Sequence, residues 1–146
     1  MALRYKSEGE VHKDFHGLTC ATLHYLLDNY GAESIKEIMK STAQNVYRTI
    51  HESLAKGDCS ELIEYWEYYM KREGGEYEIE QLQNEVRFTV NNCPALRHLV
   101  ELERGSDKIV CEATRLFNEA LVEGTPFGTS LEQTSDFACV QKIKRK

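Results

Sequence analysis

Apolar side chains recur at intervals of three and four residues through the first half of the chain, which is the spacing of a helix face. The first helix is predicted over residues 14–30, before a glycine, and its apolar stripe consists of Phe15, Leu18, Thr22, Leu26 and Tyr30. A second helix is predicted over residues 32–56 and a third over residues 58–74, where two adjacent glycines stop the pattern. The first half of the chain is therefore expected to be helical.

After these glycines, apolar residues recur at every second position instead of every third or fourth. Apolar and polar side chains alternate over residues 77–80 and 86–90, which predicts two strands joined near Gln83 and Asn84. A short helix beginning at Pro94 and a longer one ending near Glu123 follow, and a second hairpin closes the chain over residues 129–144. The order ααα-ββ-αα-ββ predicts a single α+β domain over residues 1–146, with helices packed on an antiparallel sheet of about four strands.

The composition excludes several classes of function. The 146 residues include 24 acidic and 18 basic side chains, a net charge of −6, so the clustered basic residues that bind nucleic acid are missing. No run approaches the roughly 20 uncharged apolar residues of a membrane span, and the first residues lack the apolar core of a secretion signal. We therefore expect a cytoplasmic protein that binds neither nucleic acid nor membrane.

Five cysteines without a Cys-x-x-Cys pair are expected to be reduced thiols in a cytosolic chain. Cys93 directly precedes Pro94, at the predicted start of a helix, where the helix dipole would lower the thiol pKa and favour a nucleophile. The alternative is a small, half-buried capping residue. Cys111, early in the next helix, and Cys139, in the last strand, either join Cys93 in a metal or covalent site or are core residues.

His12, His16, Cys20 and His24 follow one another at four-residue steps along the first predicted helix. Side chains four residues apart share a helix face, so His16 with Cys20, or Cys20 with His24, could hold zinc or another transition metal from one side. Gly17 leaves room beside His16 for a ligand or a neighbouring backbone. The alternative is a polar helix edge that faces water or a dimer contact.

Trp66 lies with Tyr65 and Tyr69 on one face of the third predicted helix. This aromatic stripe could stack on a flat ligand, although side chains with this spacing are more often found in the core or in a dimer interface. The sheet offers the helices only one face, so the stripe needs a second partner. We therefore expect a homodimer with a two-fold contact.

The segment 88–97, in which a strand ends in Cys93 and a proline, precedes Cys111 near the start of a helix and Cys139 in the closing strand. This arrangement resembles the L-2-amino-thiazoline-4-carboxylic acid hydrolase-like family over about residues 76–144, and the order of elements is similar to V4R (4-vinyl reductase) small-molecule-binding domains. The resemblance implies an α+β fold and, as in some members, hydrolysis of a cyclic amidine or thiazoline ring. It assigns the site to these three cysteines.

Three functions compete on these grounds. In an enzyme, Cys93 would be the nucleophile or a ligand, Cys111 its partner in the site, and His16 a general base. In a V4R-like module, the same pocket would bind a small molecule or a metal without catalysis. In a structural dimer, the cysteines would be core residues. The side chains expected to contact a small-molecule ligand are Cys139, Cys20 and Trp66. We expect Cys93 and Cys111 to line one cavity, with Cys139 beside it and His16 at its mouth.

Overall fold

A computed structural model describes residues 14–103 and 108–146 of the chain. Its elements, in chain order, are α1 (Asp14–Tyr30), α2 (Ala32–Ser41), a π-helical turn (Thr42–Val46), α3 (Arg48–Ala55), α4 (Ser60–Glu73), β1 (Glu76–Gln81), β2 (Glu85–Asn92), α5 (Pro94–Glu101), α6 (Lys108–Val122), β3 (Phe127–Ser135) and β4 (Ala138–Arg145). The predicted α+β class and the order of helical and strand regions are confirmed. His12 lies outside the described residues.

The four strands form one antiparallel sheet in the order β1-β2-β4-β3. The two hairpins meet along β2 and β4, where Phe88 lies opposite Gln141 and Val90 lies opposite Cys139. Alternate residues of β2 are buried and the residues between them are more exposed. The period of two read from the sequence therefore marks a sheet with one face covered by helices.

Trp66 of α4 is a core residue. Its ring stacks on that of Phe88 with the centroids 4.6 Å apart and the planes at 17°, and only 4% of the residue is exposed. Trp66 therefore offers no surface to a flat ligand or to a second copy of the chain, which corrects both expectations for it. The aromatic stripe of α4 finds its partner in the sheet of the same chain.

Helix α1 packs with a face that is rotated from the predicted one, and of the predicted stripe Leu26 packs against the core. Phe15, Leu18 and Tyr30 of the predicted apolar stripe are 53%, 69% and 67% exposed. The buried residues of α1, which also follow helical spacing, are His16, Cys20 and Leu23. Apolar side chains occupy both faces of this helix, so periodicity alone does not determine which face packs against the domain.

The predicted helix over residues 32–56 is interrupted by the π-helical turn at Thr42–Val46. After this wider turn, the ring of Tyr47 packs between Tyr65 of α4 and Phe117 of α6, with both centroid distances 5.1 Å. The interruption thus joins two differently directed helices around one aromatic anchor. Among the described residues, no helix is long and apolar enough to cross a membrane.

Candidate functional site

A polar cavity of about 270 Å³ opens where the first turn of α1, the last turn of α4 and helix α5 meet. The residues that line it are His16, Arg72, Glu73, Pro94, Arg97, His98 and Glu101. All of these except the proline carry an ionisable side chain. The cavity therefore differs in chemistry from the apolar core directly behind it.

A buried pair of His16 and Glu73 forms one wall of this cavity. Nε2 of His16 lies 3.0 Å from both carboxylate oxygens of Glu73, and the two side chains are 7% and 8% exposed. With the Nε2 proton donated to the carboxylate, the lone pair of the neutral imidazole is on Nδ1. A carboxylate in this position orients the ring and stabilises the imidazolium that forms when Nδ1 takes a proton.

Tyr69 provides further support for Glu73. Its hydroxyl donates a hydrogen bond to the Glu73 carboxylate, and burial together with that negative charge raises the tyrosine pKa well above its usual value. Tyr69 therefore remains a hydrogen-bond donor at neutral pH. Part of the aromatic stripe read from the sequence thus positions the carboxylate of the candidate site.

The turn after α4 places the lining residues of α4 close to those of α5. Gly74 ends the helix in the left-handed conformation, with a φ of 69°. A Cβ on Gly75 would lie 3.1 Å from Cδ of Pro94 and would overlap the side chain of Met70, so the turn packs closely against the start of α5. The double glycine therefore places Glu73, the last residue of α4, beside the first turn of α5.

A second imidazole, that of His98, faces the same cavity. Its ring centroid lies 6.1 Å from that of His16. Both ring nitrogens are buried, and within the described part of the chain neither has a hydrogen-bond partner; Nδ1 is 3.7 Å from a carboxylate oxygen of Glu101. Since buried polar groups are normally satisfied, these nitrogens suit a bound ligand or water.

Two guanidinium groups complete the lining. Arg72 donates a hydrogen bond of 2.9 Å to the Tyr68 hydroxyl, and a terminal nitrogen of Arg97 lies 3.4 Å from the Gly74 carbonyl oxygen. Together with the two glutamates, they give the cavity groups of both signs. Such a lining suits a small ligand that carries both an anionic and a cationic group.

Cys93 occupies the predicted position directly before α5, but its chemistry differs from the prediction. Its side chain makes no capping hydrogen bond. Burial raises the pKa of the thiol, and this outweighs the nearby N–H groups of Leu96 and Ala95, which favour the thiolate. The negative charge of Glu73 raises the pKa further. The expected lowered pKa is therefore wrong, because the helix start lies inside the protein and not at its surface.

The other cysteines surround apolar clusters. Cys93 and Cys111 pack against a cluster of Cys20 with Leu96 and Leu99, and Cys93 also packs with Cys139 against the main core. The pKa of Cys139 is raised because the thiol is buried. A hydrogen bond of 3.6 Å from Nε2 of Gln141 to the sulfur lowers this pKa, but the effect of burial is larger. The structure therefore brings the predicted cysteines into one neighbourhood, but none of them lines the polar cavity.

Within the described ranges, no three His, Cys, Asp or Glu side chains gather closely enough to hold a metal ion. The His16–Cys20 pair read as a metal-binding face is instead the buried face of α1. His16 lines the cavity, Cys20 packs in the apolar cluster, and His24 lies on the exposed side of the helix. The four-residue spacing therefore marks a packing face, with one polar member at the cavity.

The sequence singled out His16 and did not single out Glu73, His98, Arg72 or Arg97. Glu73 lies 57 residues from His16 in the chain, so no local spacing connects the two. The only local signal was the position of Arg72 and Glu73 directly before the double glycine, with Arg97 and His98 one turn after Pro94.

No protein-family model matches this chain, and no curated protein matches it. The resemblance to the thiazoline-carboxylate hydrolases therefore stays a prediction.

Proposed function

We propose that this protein hydrolyses a small cyclic amidine or thiazoline in the cavity between α1, α4 and α5, with His16 as the general base. The observation that carries the proposal is the buried pair of His16 and Glu73 in the wall of a polar cavity. An imidazole held by a carboxylate at such a wall is suited to take a proton from water. The resemblance of residues 76–144 supplies the substrate class.

Water would add to the amidine carbon of the ring while its proton passes to Nδ1 of His16. The ring C–S or C–N bond then breaks, and the imidazolium returns the proton to the departing sulfur or nitrogen. The hydroxyl of the adduct becomes the carbonyl, and its proton passes to the ring nitrogen. One water is consumed and the ring opens, so the base is regenerated without any external oxidant or reductant. The raised pKa of Cys93 fits this route, because no thiolate has to form.

The charges of the cavity fit the proposed substrate class. Arg72 and Arg97 can each bind the carboxylate that the family resemblance implies. Glu101 can face the cationic amidine, and His98 can donate or accept a hydrogen bond at the ring. In this proposal, Cys93, Cys111, Cys139 and Cys20 form the apolar wall behind the cavity, and a nucleophilic role for Cys93 stays a separate prediction.

A second candidate function is non-catalytic binding of a small molecule, as in V4R-like domains. The raised pKa values of Cys93 and Cys139 favour it, because buried protonated thiols are poor nucleophiles. The same cavity would then bind a ligand that bears both charges and release it unchanged. We further propose that the protein is cytoplasmic and acts as a homodimer, through a surface other than Trp66.

Turnover of L-2-amino-thiazoline-4-carboxylate distinguishes the two functions. The assay measures ring opening, which forms a thiol and a ureido group where the C–S bond breaks, or an amine and a thiocarbamate where the C–N bond breaks. Calorimetry measures binding of the same compound. We expect His16→Asn to lose at least about a hundredfold in kcat/KM, because general-base catalysis contributes that much or more. The matched control is His24→Asn, which changes the same residue type on the exposed side of the same helix.

Binding without turnover by the wild-type protein would favour the non-catalytic alternative. Equal turnover by the His16 and His24 variants would exclude His16 as the base. Absence of both binding and turnover would refute the substrate class.

A further inference from the structure

The outer face of α1 is mostly apolar over residues 15–27, and the exposed Asp28 follows at its C-terminal end. Residues 15–27 contain no Asp, Glu, Lys or Arg, in a chain of which 29% is charged. The large side chains on this face are Phe15, Leu18, Tyr25 and Tyr30, which are 53%, 69%, 59% and 67% exposed. The opposite face of α1 is buried against the domain. A helix that is apolar on both sides is normally covered on both sides.

We infer that the outer face of α1 is the surface on which a second copy of this chain docks. This inference deepens the proposed homodimer by assigning its interface, and it does not depend on the proposed hydrolysis. The two copies would pack their α1 helices antiparallel about a two-fold axis. Each helix of 17 residues is about 25 Å long, which is enough for such a contact.

The order of side chains along the face suits self-association. Ala21 and Thr22, both exposed, lie between Leu18 on one side and Tyr25 on the other. Small residues at the centre allow two helices to approach closely, and each Leu18 would then meet the Tyr25 of the second copy. Tyr25 and Tyr30 already form an edge-to-face pair with centroids 6.2 Å apart, so part of the interface is ordered before association.

Charge points to a second copy over other occupants. The chain carries a net charge of −6, and residues 15–27 carry no formal charge, so the repulsion between two copies is low along this part of α1. Helices that lie in a membrane surface carry Lys or Arg on the polar side, and residues 15–27 contain neither. A strongly charged protein partner would find no opposite charge on this face.

The exposed area is sufficient for a weak dimer. The four large side chains expose about 500 Å² in each copy, given the usual areas of aromatic and aliphatic residues. Two copies together reach about 1,000 Å², and the neighbouring small residues bring the contact towards the roughly 1,200 Å² at the lower end of stable interfaces. We therefore expect a dissociation constant in the micromolar range.

Sedimentation velocity of the full-length protein, from micromolar to submillimolar concentration, tests the inference. The wild type is expected to change from monomer to dimer over this range, and Leu18→Glu and Tyr25→Glu are expected to remain monomeric. The matched control is Leu82→Glu, which places the same charge on a side chain that is 51% exposed between β1 and β2. Since all three positions are exposed, melting temperatures should be close to that of the wild type.

Cross-linking tests the geometry independently of affinity. In Ala21→Cys, the two introduced thiols lie near the two-fold axis, so mild oxidation should produce a covalent dimer that the wild type does not produce. Asn29→Cys, on the same face but far from the axis, is the control. A wild type that stays monomeric would refute the homodimer itself. A dimer that persists in both glutamate variants would refute only the assignment to α1.

Discussion

The polar cavity and the cysteine neighbourhood lie on opposite sides of the first residues of α5. Pro94 lines the cavity, whereas Cys93, the preceding residue, packs into the core. On the cavity side, the buried imidazole of His16 is paired with the carboxylate of Glu73. On the cysteine side, burial among apolar residues raises the thiol pKa of Cys93 and Cys139.

The comparison shows that burial has opposite consequences for reactivity on the two sides. A buried imidazole with a carboxylate partner is oriented for proton transfer, because the carboxylate stabilises the charged ring. A buried thiol in an apolar cluster is kept protonated, because the polar groups near it offset only part of the loss of hydration. Proximity to a helix start is therefore not sufficient to activate a cysteine.

The largest effect is expected from Glu73→Gln. The variant keeps the shape of the side chain and one hydrogen bond to His16, but it removes the charge that stabilises the imidazolium. We expect kcat/KM for the thiazoline substrate to fall by about 10²–10⁴-fold, the range for loss of a positioned base or its orienting carboxylate. Steady-state kinetics with L-2-amino-thiazoline-4-carboxylate measure this loss.

Glu67→Gln is the matched control, since Glu67 lies on the same helix as Glu73, is 45% exposed beside Lys71 and does not line the cavity. Its kcat/KM should stay within a few-fold of the wild type, because an exposed carboxylate interacts weakly. If the two glutamine variants lost kcat/KM equally, Glu73 would have no special connection to the base.

The fold could be predicted because its signals are local. The change from helical to alternating spacing after Gly75 and the turn near Gln83 and Asn84 are written in adjacent residues, and both agree with the structure. Helix α1 is the exception, since apolar residues on both of its faces fit a helix equally well. The choice between the faces depends on which neighbours pack against it, and these are distant in the sequence.

The candidate site could be predicted only in part, because its residues come from distant segments of the chain. The four-residue spacing with Cys20 indicated His16. Its partner Glu73 could not be predicted, because α1 and α4 meet only in the folded chain. The position of Cys93 at the start of α5 was correctly predicted, whereas its burial depends on α1, α6 and the sheet. Local sequence places a residue in an element, and the tertiary contacts then set its pKa.

Cys93→Ala tests whether the cysteine neighbourhood contributes to stability alone or also to turnover. Because the thiol packs against both apolar clusters, we expect the change to reduce the free energy of unfolding by about 1–2 kcal/mol, equivalent to a few degrees in melting temperature. Turnover per folded molecule should stay within a few-fold of the wild type. Calorimetry and active-site kinetics on the same preparation measure the two quantities.

A loss of turnover as large as that of the Glu73 variant, with stability unchanged, would instead establish Cys93 as the nucleophile. Iodoacetamide provides a second measurement on the wild type. At neutral pH, the protonated and buried Cys93 should be alkylated more slowly than the same residue in the denatured chain.

The smallest expected effect concerns stability at alkaline pH. The pKa of Cys93 and that of Cys139 are raised from the ordinary value of 9.0, so these thiols ionise at a lower pH in the unfolded chain than in the folded one. As the pH rises above about 9, the unfolded state loses protons first and the free energy of unfolding falls. Cys93→Ala removes one of these groups, so the free energy of unfolding of this variant should fall less steeply with pH than that of the wild type. Urea denaturation between about pH 8 and pH 10 measures both slopes, and the tyrosines, which are the same in both proteins, contribute equally to each. Ser130→Ala, which changes no titrating group, should follow the wild-type slope, and a Cys93→Ala slope equal to it would show that the pKa of Cys93 is not raised by folding.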